Sequence, residues 1–328
     1  MHVAASLAGL VDAVRAHPGV AAKAEIGLVA EVFGNADWLE GPGDDGAVVK
    51  DGERSLVVGG EAILPPFVAA DPFGAGVAAV TTNLNDLAAM GAWPLALVDT
   101  VTGPRPVMRR VFEGMRWAAG LYDVPVVGGH LTVTTGPPSL SAFGLGRADR
   151  PLSARAAAPG QSLVVAACLD GQMRVDFPFF PSFDERGDRL AGDVRLLAEG
   201  ASAGWVAAAK DVSMAGLVGS LAMLLECNRL GASLDLDSLP VPAGVTLRQW
   251  LTCFPCFAFL LCVPAGAEGD CLRAFAGRGL AAAVAGAIDA TGELRLHRAG
   301  QSGVAFDLAR ESVTGLAAPA PAGRQGPA

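Results

Sequence analysis

Between Gly74 and Gly91 the residues Val77, Val80, Leu84 and Leu87 recur at helical spacing, and Asn85-Asp86 falls inside that pattern. The flanking Thr81-Thr82-Asn83-Leu84 and Leu87-Ala88-Ala89-Met90-Gly91-Ala92 are small or apolar and offer the carboxylate no basic partner. An uncompensated buried carboxylate is costly. The chain must therefore put Asp86 on an exposed helix face or bring a cation to it. Metal coordination is the natural compensation, so the helix is expected to border a site as well as a core.

The elements around this helix alternate. Val3, Leu7, Leu10, Val11 and Val14 share one helical face, and Ala22, Ile26, Val29 and Phe33 another, with His17-Pro18-Gly19 between them. Ala47–Val49 and Leu56–Val58 flank Asp51-Gly52, a hairpin signal. Ala62–Ala70 contains Pro65-Pro66 and is expected to be irregular. A second helix follows from Met108, Val111, Phe112, Met115, Ala119 and Tyr122, with strand-like runs at Leu95–Val101, Val124–Val127 and Ser139–Leu145. After Ala156-Ala157-Ala158-Pro159-Gly160 come strands near Leu163–Ala167, Trp205–Ala209 and Phe257–Val263. The expected organisation is N-terminal helices at 1–40, domains at 41–150 and 151–312, and a disordered tail at 313–328 rich in Ala, Pro and Gly.

Composition narrows the function classes. The 328 residues are 52% hydrophobic and 17% charged with a net charge of −9, which excludes a disordered chain and allows two cores. Lys23, Lys50 and Lys210 are the only lysines, and no basic stripe interleaves with aromatics, so nucleic-acid binding is not expected. The N-terminus lacks a basic region ahead of an apolar one, which points to a cytoplasmic protein. Trp250–Ala267 is uncharged but divided by Pro255 and Pro264, so it reads as a buried strand and no membrane association is expected. Cys253-Phe-Pro-Cys256 matches C-x-x-C; in an apolar run without polar support it reads as core thiols before a metal or redox pair.

Three further segments can carry chemistry. Gly41-Pro42-Gly43-Asp44-Asp45-Gly46 satisfies G-x-G-x-x-G, but it precedes a hairpin and places two carboxylates where a pyrophosphate needs bare amides. Asp44 and Asp45 therefore read as Mg²⁺ ligands that would bridge to a nucleotide phosphate, the alternative being a solvated turn. Gly128-Gly129-His130 is expected at a strand end, where α/β layers build sites. Lys210-Asp211-Val212-Ser213-Met214-Ala215-Gly216 precedes an apolar helix whose start, opened by Gly216 and Gly219, is a candidate phosphate seat.

In this order the segments resemble the superfamily of aminoimidazole ribonucleotide (AIR) synthetase, selenophosphate synthetase, thiamine monophosphate kinase and the hydrogenase-maturation carbamoyl dehydratase. Gly43-Asp44-Asp45-Gly46-Ala47-Val48 is similar to its G-D-D-A-A-V loop, and Asn85-Asp86-Leu87-Ala88-Ala89-Met90-Gly91-Ala92-Trp93-Pro94 to its S/N-D-I-A-A-M-G-A-x-P helix. Gly128-Gly129-His130 is similar to its G-G-D/H/E strand end, and Asp211–Leu217 to its D-I-S-x-G-G-L turn. The resemblance implies a mixed α+β / α/β fold of two domains: an N-terminal mixed-sheet domain that dimerises and a C-terminal α/β domain. It implies a homodimer that holds ATP through Mg²⁺ and passes the terminal phosphate to an oxygen, amide or carbonyl of a small-molecule substrate.

On that reading Asp44, Asp45, Asp86 and Asp211 hold the metal, and Asp86, His130 and Asp211 take part in catalysis. Asn85, Gly128, Gly129, Lys210, Ser213 and Gly216 join Asp44 and Asp45 around the nucleotide. Glu61, where the family has aspartate, and Met214 in the last motif depart from the pattern. They leave a second reading open, a nucleotide-binding accessory or scaffold protein without turnover.

Overall fold

The computed structural model describes residues 6–34 and 43–316. Gly41, Pro42 and the segment 317–328 of the expected tail lie outside them. The chain opens with α1 (Leu7–Arg15), α2 (Pro18–Ala21), a 3₁₀ turn at Ala22–Ile26 and α3 (Gly27–Phe33). The first layer domain follows as β1 (Ala47–Asp51), β2 (Arg54–Ile63), α4 (Pro65–Ala70), α5 (Pro72–Ala89), β3 (Trp93–Gly103), α6 (Arg105–Tyr122), β4 (Val126–Val133) and β5 (Ser139–Ala148). Its five strands run in the order β1-β2-β5-β3-β4, antiparallel except for the parallel pair β3–β4. The Asp51-Gly52 turn joins β1 to β2 as the hairpin signal requires.

Two local expectations are corrected. Pro65-Pro66 starts helix α4, because proline at the first positions costs a helix no hydrogen bond that it would otherwise make. The strand expected to end at Gly128-Gly129-His130 runs on to Val133, since pairing with β3 continues from Val98↔Gly128 to Gly103↔Val133. Neither glycine is therefore at a strand end. Gly129 is required by close approach: a Cβ there would lie 2.6 Å from the Asp99 carbonyl oxygen.

The second domain contains β6 (Ser162–Ala167), β7 (Phe179–Phe180), α7 (Phe183–Arg186), α8 (Leu190–Asp193), α9 (Leu196–Ala203), β8 (Ala208–Asp211), α10 (Gly216–Glu226) and β9 (Gly231–Asp235). It continues with α11 (Leu247–Thr252), β10 (Phe254–Pro255), β11 (Ala258–Val263), α12 (Glu268–Gly277), β12 (Ala281–Asp289), β13 (Glu293–Arg298) and β14 (Gln301–Asp307). Seven strands form one sheet in the order β14-β13-β9-β12-β6-β11-β8. Every residue of β11 is buried. Phe259, Leu261 and Val263 join a core shared with α5 and α6, while Leu260 and Cys262 pack with α10 and α1 on the other face. A strand covered on both faces needs this unbroken apolar run.

Among the described residues no helix is long and apolar enough to cross a membrane. All six cysteines are free, and burial pushes the Cys253 and Cys256 thiols up to about 12, the state of core thiols. The expected tail boundary at 313 is also corrected. Glu226 at the end of α10 accepts the Val313 and Thr314 amides, each at 3.1 Å, and both residues are buried.

Candidate functional site

Helix α5 lies between the two sheets, packing on β2, β5 and α6 on one side and reaching β8 and α9 on the other. This places Asp86, near its C-terminal end, at the junction of the domains. The loop before β1 brings Asp45 to the same point, and the end of β8 brings Asp211. One carboxylate oxygen from each of the three lies within 4.8 Å of the others, the sole such group of potential metal ligands among the described residues.

The cluster is short of positive charge. Lys210 bonds Asp45 and stands 3.9 Å from the nearer Asp211 oxygen, while Asp45 also accepts the Asp211 amide at 3.0 Å. Burial would lower the Lys210 pKa, but Asp45 and Asp211 more than offset that and hold it raised. Burial, reinforced by Asp45, lifts Asp211 to about 7, with Lys210 and Lys23 opposing. Asp86 is raised well above the carboxylate range by burial and then by Asp211, Asp45 and Glu61.

Glu61 and Lys23 belong to this balance and were not placed in the site from the sequence. Burial raises Glu61, Lys23 counteracts it, and Asp45 adds to it. Glu61 lies on β2 opposite Ala142, so it faces the helix side of the sheet. The period-two alternation of β2 carried that signal. Lys23 had none, because only the packing of the opening helices brings it near: a Cβ on Gly19 would lie 1.9 Å from the Met214 carbonyl oxygen, and Gly27 backs onto Gly315.

The other expected residues divide. Asp44 turns away from the trio: its two oxygens accept Ser153 Oγ at 2.6 Å and the Ala154 amide at 2.7 Å, fastening the loop to the second domain. The structure does not bring it to the trio, each of its oxygens instead accepting one hydrogen bond from the second domain; burial lifts its carboxyl to about 6. Asn85 donates to the Cys256 carbonyl at 2.9 Å, and its own carbonyl oxygen is buried without a partner. The Ser213 amide donates to Ser220 Oγ, leaving the Ser213 hydroxyl buried and unpartnered.

Gly216 is not an open seat. It has φ +71°, and a Cβ there would lie 2.4 Å from the Leu251 carbonyl oxygen, so close packing selects glycine. Gly128, Gly129 and His130 lie on exposed edge strand β4. His130 has no part in the charge balance of the trio.

The donor set fits a hard divalent cation. It consists of carboxylate oxygens, among them Asp211 Oδ1, buried without a hydrogen-bond partner; Asn83 Oδ1, likewise unpartnered, lies 4.0 Å from a Cβ built on Gly59. Gly59 keeps the middle open, since a Cβ there would contact the Asp45 carbonyl at 3.5 Å and Asp86 Cβ at 3.9 Å.

Comparison with known proteins bears on this junction. Residues 43–148 match the family model described as AIR synthase related protein, N-terminal domain, and residues 172–298 the corresponding C-terminal domain. The chain is 33% identical over 277 residues to an uncharacterized protein of Synechocystis sp., covering 84% of this chain and 86% of that one. It is 34% identical over 170 residues to the thiamine-monophosphate kinase of Rhodopirellula baltica, covering 51% and 50%. Thermotoga maritima PurL complexed with FGAR superposes with a TM-score of 0.74 at 18% identity, covering 93% of this chain and 54% of that one. A ThiL complexed with AMPPCP and TMP gives 0.64 at 17% identity, covering 86% and 96%. The chain spans about half the length of the PurL chains that it matches structurally. Both domain models lie in sequence order on one two-domain fold, and the chain belongs to the AIR synthase related family.

Proposed function

We propose that the protein is an ATP- and Mg²⁺-dependent enzyme that passes the terminal phosphate of ATP to an oxygen, amide or carbonyl group of a small molecule. The observation that carries the proposal is the buried trio Asp45, Asp86 and Asp211, with orphaned oxygens at its edge and one lysine inside it. Solved relatives include a PurL complexed with ATP and a ThiL complexed with AMPPCP, which supports a nucleotide at this junction.

A Mg²⁺ ion held by the three aspartates would neutralise charge on the phosphate oxygens, the main demand of phosphoryl transfer. The chain's own groups do the rest. Lys210 holds Asp45 and sets a fixed positive charge beside the transferred group, and Lys23 approaches from the opening helices. Asp211, lifted to about 7 without a metal, would have to give up its proton as the ion binds, so metal affinity should rise with pH across neutrality. Thermal melts with Mg²⁺ alone, ATP with EDTA, and Mg-ATP test the site, and phosphate release with candidate acceptors tests turnover. Equal stabilisation by ATP in EDTA would overturn the metal bridge.

The accessory reading has two observations in its favour: Lys210 already neutralises Asp45, and His130 is not in the trio. Nucleotide binding without phosphate release across amide, alcohol and amine acceptors would select it. The proposal includes a homodimer, supported by the uncovered outer face of the first sheet, where Val49, Val58, Val98 and Phe143 are exposed. Light scattering giving a monomer at micromolar concentration would overturn that part.

A further inference from the structure

Away from the acidic junction, helix α6 and edge strand β4 enclose a cleft of about 540 Å³. Arg105, Arg109 and Arg116 line it from one stripe of α6, with Phe112 from the same helix and Leu131 and Val133 from β4. None of the three guanidiniums has a hydrogen-bond or ion-pair partner among the described residues. One acid, Glu113, also lines the cleft, and its charge is taken by Arg110. None of the three contributes to the charge balance of Asp45, Asp86, Glu61 or Asp211, so the cleft is electrostatically separate from the trio.

Arg105 and Arg109 stand one helical turn apart, a like-charge spacing that destabilises a helix, and Arg109 and Arg116 stay unpaired although Glu113 lies one turn from each. The planar guanidinium fork matches phosphate oxygens two at a time. The other wall is apolar and half open to water: Leu131 is 51% and Val133 64% exposed. A volume of this size accommodates a small molecule.

We propose that the α6–β4 cleft binds a phosphomonoester with an apolar or planar body, the arginines taking the phosphate and Phe112, Leu131 and Val133 the body. The assignment does not depend on the reading of the acidic junction.

Phenyl phosphate is the probe, titrated calorimetrically into the full chain beside inorganic phosphate. Saturable binding at least tenfold tighter for phenyl phosphate is expected, with a loss of tenfold or more in Arg109→Ala and in Arg116→Ala. Arg54→Ala, in the same domain but outside the cleft, should stay within twofold of the parent, as should Asp86→Asn. Equal affinity for the two probes would overturn the apolar wall, and an equal loss in Arg54→Ala would reduce the effect to diffuse charge. Loss in Asp86→Asn would move the binding to the acidic junction, and tighter binding of a short oligonucleotide than of phenyl phosphate would replace the small molecule by a nucleic acid. Each of these results overturns the proposal.

Discussion

The two sheets solve burial in opposite ways. In the seven-stranded sheet β6 and β11 are covered on both faces, and a buried acid beside it is doubly paired: Asp193 accepts both Arg186 Nε and Arg186 Nη2 at 2.8 Å and Arg278 Nε at 2.6 Å. In the five-stranded sheet α5 and α6 cover one face, and the other shows Val49, Val58, Val98 and Phe143 to water. The charges that α5 and β2 bring to the junction are likewise in excess, with Asp86 and Glu61 facing Asp45 and Asp211 around Lys210. One sheet is covered on both faces at its centre and the other leaves a whole face open, while the uncompensated charge gathers where the two domains meet.

The largest expected effect tests the closed half. Asp193→Ala removes the acceptor of two arginines, one of them fully buried, and should cost about 3–5 kcal/mol in denaturant unfolding. A cost below about 1 kcal/mol would mean that this domain is not internally balanced. Next comes the open half. Asp86→Asn should raise the melting temperature of the metal-free protein by relieving repulsion, and abolish the stabilisation by Mg-ATP, about 2.7 kcal/mol at a hundredfold excess over Kd. A variant stabilised as much as the parent would take Asp86 out of the site.

A smaller effect follows from pH. The folded-state values of Asp44 (about 6), Asp211 (about 7) and Asp86 lie above those of the unfolded chain. Folded protein therefore binds protons that unfolded chain has released. This contribution to stability is complete below the ordinary carboxylate range near 4 and is lost as pH rises through about 6 to 7. The metal-free protein should melt at lower temperature at pH 8 than at pH 5.5, and saturating Mg²⁺ should flatten that slope. An unchanged slope with Mg²⁺ would detach the trio from the metal. The smallest effect on unfolding belongs to Phe143→Glu, within about 0.5 kcal/mol in dilute protein, because the ring is already exposed. The same substitution should halve the mass measured by light scattering; an unchanged mass would place any dimer contact elsewhere.

Much of the junction was legible because its residues announce themselves locally. Asp86 stands in an apolar helical pattern, and Asp211 ends a strand before a glycine turn. Asp44 and Asp45 were indistinguishable, since neighbouring residues of one loop differ only in which way the fold turns them, toward Ser153 or toward Lys210. His130 was misplaced for a related reason: how far β4 continues is decided by β3, which lies outside any local window. Glu61 departs from the family pattern in residue type alone, and its place in the site was hidden because the charges around it come from the first helices, the loop before β1 and β8. The site is assembled from segments far apart in the chain, and only the carboxylates with unusual neighbours were visible beforehand.

The hydrogen bond from the Asp211 amide to the Asp45 carboxylate has a use of its own. Strand β8 is at the edge of its sheet, with β11 on one side, so this proton is guarded by a side chain from the other domain. Its rate of exchange with deuterated solvent becomes a clock for the joint between the domains. A ligand that recruits Asp45 elsewhere would speed the clock, and one that tightens the junction around it would slow it. A single backbone position thus reports, without any assay of turnover, whether whatever enters the site loosens or tightens the contact between the domains.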